Sequence, residues 1–262
     1  MAEVGTVGRT YRINLVRLYG FCLETTVKAL VYVYMEKGSL DRYLFNRNQG
    51  IEWEKQHEPA IGTAREISYL HEECEQRIIH YDIKPDNVLL TANFSPKVAD
   101  FGLAKRNREN THVTLTGARG TPGYAAPELW LPSPVSHKCD VYSFGMLLFE
   151  ILGRRRNLEL NHTESQEWHP RWVWHKFQQG ELDVALSVSA IEAKDRAKAE
   201  RMFKVVLWCI QYQPEERPSM GGVVRMLERE EEIIAPRNPF ARMAPYSAGS
   251  ALYGGSTSYL SG

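Results

Sequence analysis

From Ile78 to Lys105 the chain is built of short strand-like pieces broken by polar turns, and one turn concentrates three kinds of chemistry. The segment His80-Tyr81-Asp82-Ile83-Lys84-Pro85-Asp86-Asn87 places a carboxylate (Asp82), an ammonium (Lys84) and an amide (Asn87) within six positions. Asp100-Phe101-Gly102 follows after a hairpin-sized gap. Phosphoryl transfer needs such a set. A carboxylate orients the attacking hydroxyl and accepts its proton, a cation steadies the moving phosphoryl group, and oxygen ligands hold a divalent metal against the phosphates. Magnesium takes a few protein oxygens beside those of phosphate, which suits Asn87 and Asp100 better than a closed cage would. A lone aspartate is usually a solvated surface residue or a helix cap. Several residue types at fixed spacing weaken that reading.

The flanking pattern predicts an order of elements. Leu30–Met35 is an apolar, β-branched and aromatic run and reads as a buried strand. Lys37-Gly38 breaks it, and Ser39 is placed to cap a short helix through Leu44. From Glu58 to Cys74, the residues Ala60, Ala64, Ile67, Leu70 and His71 share one helical face. Val88–Leu90 and Lys97–Ala99 read as short strands. From Asp140 onward helices dominate. Val141, Phe144, Leu148 and Ile151 form one stripe, and Met202, Val205, Val206, Cys209 and Ile210 form another. Ser219 can cap a last helix to about Glu230. These stripes read as core. Arg154-Arg155-Arg156 reads as a solvated loop, and the Pro/Gly/Ser/Tyr-rich stretch from Ala235 to Gly262 as disordered.

Composition excludes some functions. Lysine plus arginine and aspartate plus glutamate each number 32, a formal net charge of zero. A neutral chain has no general field to attract nucleic acid or an anionic membrane. The four cysteines, Cys22, Cys74, Cys139 and Cys209, show no paired spacing and read as free thiols in a reducing compartment. His71-Glu72-Glu73-Cys74 lacks a second ligand pair at zinc spacing. No apolar run is long enough to span a bilayer, and no signal peptide opens the chain, so the chain as given is expected to be soluble.

With Ala126-Pro127-Glu128 closing the series, the chain resembles the eukaryotic protein kinases, more closely the plant receptor-like serine/threonine kinases. The phrases NLVRLYGFC (14–22), GTPGYAAPE (120–128), CDVYSFG (139–145) and RPSM (217–220) carry the closer match. The wording of IIHYDIKPDN (78–87) is similar to the rust-resistance receptor-kinase group. The resemblance implies an α+β, protein-kinase-like fold. Residues 1–35 would be a remnant of the β N-lobe, 36–232 a mainly helical C-lobe, and 233–262 a disordered tail. It implies ATP and Mg²⁺ as cofactors and protein serine or threonine hydroxyls as substrate. It also implies a cytosolic kinase whose parent is membrane-anchored.

Residue roles follow from the resemblance alone. Asp82 would be the catalytic base, Lys84 would contact the γ-phosphate, and Thr121 would bond near both. Asn87 and Asp100 would bind magnesium. Tyr32 would back the adenine pocket, the backbone of Val33 and Met35 would pair with adenine, and Leu89 would be its floor. Glu128 and Arg217 would form a buried ion pair. Val7, Leu18, His80, Phe101 and Asp140 would belong to a packed stack coupling the lobes, with His80 a packing residue and Gly102 closing the metal-binding turn.

Three departures from the family stand out. Tyr81 occupies the place of an arginine that normally pairs with a phosphorylated loop residue, so phosphorylation of Thr111, Thr114 or Thr116 should be a weaker switch. Val33 replaces a glutamate where backbone groups do the pairing. Glu3 matches the glutamate that pairs with a nucleotide-binding lysine, and only two residues precede it. No two glycines lie two positions apart, so no Gly-x-Gly-x-x-Gly loop exists, and Gly5 and Gly8 read as helix positions. Two expectations follow. One is a shortened gene reading of an active kinase. The other is a catalytically impaired binding or scaffold module with an uncovered strand at Leu30–Met35.

Overall fold

The long helix Lys138–Gly153 organises the molecule, because every residue from Cys139 to Leu152 is buried. In the computed structural model, which describes residues 15–45, 53–107, 119–131, 134–158, 169–188, 191–229 and 231–242, the helices Trp53–Ser68, Leu182–Val188 and Arg196–Cys209 pack against it. In chain order the elements before it are β1 (Leu18–Leu23), β2 (Lys28–Tyr32), β3 (Gly38–Ser39), α1 (Asp41–Leu44), α2 (Trp53–Ser68), β4 (Arg77–Ile79), β5 (Val88–Leu90), β6 (Pro96–Val98) and β7 (Lys105–Asn107). There follow α3, the central helix, then α4 (His169–Gln178), α5 (Leu182–Val188), α6 (Arg196–Cys209) and α7 (Met220–Glu228). The strands form three antiparallel sheets, β1-β2, β3-β5-β6 and β4-β7.

The expected stripe on α3 is buried, and so is its opposite face. A helix that is apolar all round sits inside a helical layer. Its contact with α6 is close. A Cβ added at Gly145 would lie 2.7 Å from Ile210 Cγ2 and 2.8 Å from Cys209 Cβ. Gly145→Ala therefore lowers unfolding free energy by about 1–3 kcal/mol, the usual cost of overpacking, as read from the urea midpoint.

Four sequence expectations are corrected. The strand expected at Leu30–Met35 is β2, Lys28–Tyr32, and it is not buried: Leu30 is 38 % and Val31 53 % exposed, which agrees with the alternative expectation of an uncovered strand. Ser39 does not cap α1; it pairs with Leu89 in the ladder of β3 and β5. The helix expected from Glu58 begins at Trp53, because the buried Trp53 anchors a first turn ahead of the regular apolar spacing. Its last turn, Tyr69–Glu73, widens into a π-helix. The fourth correction concerns the tail, expected to be disordered from residue 233. Ile233 and Phe240 are buried, Trp208 Nε1 donates to Ile234 O at 2.9 Å, and Gln211 Nε2 donates to Arg237 O at 3.1 Å. Side-chain donors on and just after α6 give this extended backbone the partners that composition could not reveal. Residues 243–262 lie outside the described residues.

Other expectations hold. β5 spans Val88–Leu90 as read, and β6 is offset by one residue from Lys97–Ala99. Ser219 caps α7 by accepting a hydrogen bond from Gly222 N at 3.2 Å. Among the described residues no helix is long and apolar enough to cross a membrane.

Candidate active site

A single buried carboxylate sets the loop after β4. Asp140, in the first turn of α3, accepts Tyr81 N at 2.8 Å on Oδ1, and His80 N at 2.8 Å and His71 Nε2 at 2.9 Å on Oδ2. Burial raises its pKa, but the hydrogen bond and charge of His71 and the backbone donors outweigh this and hold it below the ordinary value. The loop can then turn sharply: Tyr81 takes φ 68°, the left-handed region that non-glycine residues rarely enter.

The same turn defines His80. Its Nδ1 accepts Asp82 N at 3.2 Å and its Nε2 lies 3.0 Å from Ala99 O, so the proton resides on Nε2. Burial lowers the His80 pKa against the pull of Asp140 and keeps the ring neutral. The ring meets Phe101 edge to face at 4.8 Å between centroids. His80 thus bridges the loop to the Asp100-Phe101-Gly102 turn by packing and two hydrogen bonds. Leu18 is half-buried in β1; Val7 lies outside the described residues.

Beyond the turn, Asp82 is buried and faces three donors. Thr121 Oγ1 donates to Oδ1 at 2.6 Å, Lys84 Nζ lies 2.8 Å from Oδ2, and Asn87 Nδ2 lies 3.1 Å from Oδ2. Lys84 Nζ also donates to Thr121 Oγ1 at 2.9 Å, closing a triangle. Burial raises the Asp82 pKa, but the Lys84 and Thr121 bonds and the charge of Lys84 win and lower it. Asp82 is therefore ionised at neutral pH. Asn87 spends its amide nitrogen on Asp82, on the carbonyl at 2.9 Å as well as the carboxylate, leaving its Oδ1 as the acceptor. Asp100, at φ 62°, presents an exposed carboxylate whose Oδ1 accepts Gly102 N at 3.2 Å.

Thr121 is carried by a loop pinned from beneath. Tyr124 N and Ala125 N both donate to Thr121 O at 3.1 Å, and Tyr124 OH donates to Glu150 Oε2 at 2.6 Å. Glu150 Oε1 accepts Asn157 N at 2.8 Å. Burial pushes the Glu150 carboxyl up from 4.5 to about 7, against the pull of those bonds. A folded-state pKa raised above the unfolded value means that the folded protein holds more protons between the two. Stability therefore falls as pH rises from about 4.5 to about 7, by on the order of a few kcal/mol in total. Urea titrations at pH 5, 6 and 7 read this slope, and Glu150→Gln flattens it.

The pair Glu128–Arg217 lies behind this loop. It is bidentate, at 2.6 Å and 2.9 Å, with Arg217 1 % and Glu128 5 % exposed. The remaining Arg217 donors go to Gln211 O at 2.7 Å, Lys138 O at 2.9 Å and Tyr212 O at 3.1 Å, so all five N–H groups are satisfied.

At the positions expected to meet adenine, Val33 N donates to Arg17 O at 3.0 Å and Met35 O accepts Gly38 N at 3.1 Å. That leaves Val33 C=O and Met35 N–H, which no hydrogen bond takes among the described residues. Leu89 is half-buried between the buried Val88 and Leu90, so it faces away from the core side of β5. Tyr32 ends β2 opposite Leu18. Glu3, Thr111, Thr114 and Thr116 lie outside the described residues.

The sequence reading did not single out His71 as an Asp140 partner, nor Tyr124, Glu150 or Arg119. Glu150 carried a signal: it is the lone carboxylate within the apolar run Met146–Leu152. In the sequence His71 reads as an apolar-face position and as part of a metal-like string that lacks a second ligand pair.

The profile of the family described as "Protein tyrosine and serine/threonine kinase" matches residues 1–227. A G-type lectin S-receptor-like serine/threonine-protein kinase of Arabidopsis thaliana is 45 % identical over 249 residues, covering 91 % of this chain and 28 % of the relative. Rust resistance kinase Lr10 of Triticum aestivum is 44 % identical over 248 residues, covering 91 % of this chain and 39 % of the relative. The PR5-like receptor kinase of Arabidopsis thaliana is 39 % identical over 246 residues, covering 90 % and 37 %. The chain thus spans less than two fifths of the length of these curated relatives. A family match across nearly the whole chain and a loop whose cation and amide converge on one carboxylate lead to one conclusion: the chain belongs to the protein tyrosine and serine/threonine kinase family.

Proposed function

We propose that the chain transfers the γ-phosphate of ATP to serine or threonine hydroxyls of proteins, in receptor-type signalling like that named for its relatives. The observation that carries this is the closed triangle of Asp82, Lys84 and Thr121. Asp82, ionised and held by Thr121, accepts the proton of the attacking hydroxyl. Lys84 stands beside it to meet phosphate charge. Val33 C=O and Met35 N–H pair with the adenine edge over Leu89.

Asn87 and Asp100 fit a magnesium ion. The Asn87 amide is oriented by its nitrogen so that oxygen is the free ligand, and the Asp100 carboxylate is exposed. When bound there, the ion offsets phosphate charge. The chain's own residues supply orientation and the proton acceptor.

The test is incubation of the chain with γ-labelled ATP, magnesium and a mixed peptide pool, followed by phosphoamino-acid analysis. Label on serine and threonine is expected. Label confined to tyrosine, or ATP–magnesium binding with no transfer, sinks the reading in favour of another acceptor or a binding module. Thr121→Ala lowers transfer by about tenfold, because Asp82 and Lys84 lose the hydroxyl that fixes the orientation of both. Single-turnover rates measure this.

A further inference from the structure

We propose that Arg119 is a positioning residue that docks the Thr121 loop onto the catalytic loop through the face of Tyr81. Its guanidinium carbon lies 5.7 Å from the centroid of the Tyr81 ring, within the range of a cation–π contact. Arg119 Nη1 also donates to Leu103 O at 3.4 Å. One side chain thus ties the stretch after Asp100-Phe101-Gly102 to the stretch before Thr121.

Gly120 supplies independent support. Its φ is +86°, and a Cβ there would come within 3.1 Å of Tyr81 O. The backbone next to Arg119 is therefore pressed against the backbone of Tyr81, and the next residue, Thr121, reaches Asp82. Tyr81 contributes its ring rather than its hydroxyl. The side chain is 1 % exposed, and among the described residues its hydroxyl has no hydrogen-bond partner. Any polar role for that hydroxyl would call for a partner.

The arrangement inverts the family's usual contact. There a catalytic-loop arginine meets an anion made by phosphorylation. Here the catalytic loop offers an aromatic face and the facing segment offers the cation, so the contact forms without a phosphate. The consequence for catalysis rests on the kinase reading above; the docking itself does not.

The test separates the two. Amide hydrogen exchange between Gly120 and Ala125 is measured on the nucleotide-free chain, where no turnover is needed. Arg119→Gln keeps a donor for Leu103 O but removes the charge, and it should raise exchange about tenfold. Arg119→Lys keeps charge and donor and should raise it about threefold or less. Tyr81→Phe keeps the ring and should stay within about twofold of wild type. In a Tyr81→Leu background, Arg119→Gln should add less than about twofold. Wild-type exchange in Arg119→Gln, equal exchange in the Gln and Lys variants, or a full Gln effect without the ring would each overturn the proposal. If Tyr81→Leu does not fold, the Gln, Lys and Phe comparison decides alone. In the transfer assay Arg119→Gln should lower kcat while the KM for ATP stays within about twofold. A wild-type chain that does not transfer phosphate counts against the kinase reading and leaves the exchange result standing.

Discussion

Asp82→Asn lowers phosphoryl transfer by about 10²–10⁴-fold, the range that one general base contributes. The surroundings of Asp82 are why the loss is large. Thr121 Oγ1, Lys84 Nζ and Asn87 Nδ2 all point donors at this carboxylate. Asparagine offers one acceptor oxygen and one donor nitrogen, so at least one of the three meets a donor. The substitution removes the proposed proton acceptor and loosens Lys84, the group proposed to face the phosphate. Binding of ATP–magnesium should change little, since the groups proposed to face adenine lie on the segment Val33–Met35 and on β5. Comparing kcat with an equilibrium titration of the same variant separates the effects. Unchanged transfer would end the assignment of Asp82. The lowered Asp82 pKa adds a pH statement. A depressed folded value keeps the group ionised as pH falls through the ordinary carboxylate range, so an acid limb due to Asp82 lies below the ordinary aspartate value of 3.8.

Arg217→Ala destabilises the fold by about 3–5 kcal/mol, and Glu128→Gln by a comparable amount. The cost comes from the partner left behind. Arg217 is buried with all five donors engaged, two on Glu128 and three on backbone carbonyls of Gln211, Tyr212 and Lys138. Removing the guanidinium strands a buried carboxylate and three carbonyls at once. Removing the charge of Glu128 leaves a buried cation with three backbone carbonyls and the ring of Tyr142, 5.0 Å away, but no counter-charge. Combining Arg217→Ala with Glu128→Gln should cost less than the sum of the two single changes, because neither charge is then left alone. Urea unfolding of the four proteins completes the cycle. Additive losses would show that the pair does not act as a unit.

The pair has a functional side. Glu128 follows the loop that carries Thr121, and Arg217 precedes α7. Their bond joins the end of the Thr121 loop to the helical layer. Glu150 does the same from below through Tyr124. Fixing Thr121 thus takes two buried carboxylates that never approach the reacting atoms.

Much of the fold was legible where periodicity is local. The stripe Ala60, Ala64, Ile67, Leu70 and His71 and the stripe on α6 are buried as spaced. Val88–Leu90 forms a strand as read. The failures have a common physical source. Ser39 has a good capping side chain, but the ladder with Leu89 competed for it and won. Leu30 and Val31 carry the pattern of a buried strand, yet burial depends on what lies against a strand. The segment 233–240 has a loop-like composition, and its partners are donors on and just after α6, more than twenty residues earlier.

Taken by itself, the order of residue types from His80 to Asn87, with Asp100 beyond, determined which chemistry the chain can carry. Together with Ala126-Pro127-Glu128 and the phrases at 14–22, 120–128, 139–145 and 217–220, it carried the resemblance to the family. Tertiary structure alone decided how those groups are held. Thr121 reaches Asp82 across 39 positions, Asp140 reaches the backbone of His80 and Tyr81 across 60 and 59, and Arg217 reaches Glu128 across 89. Helical and strand periods report only on near neighbours along the chain. A buried carboxylate is matched with its donors only when the core closes around them, and that closure also sets the left-handed turn at Tyr81 and turns its ring toward Arg119.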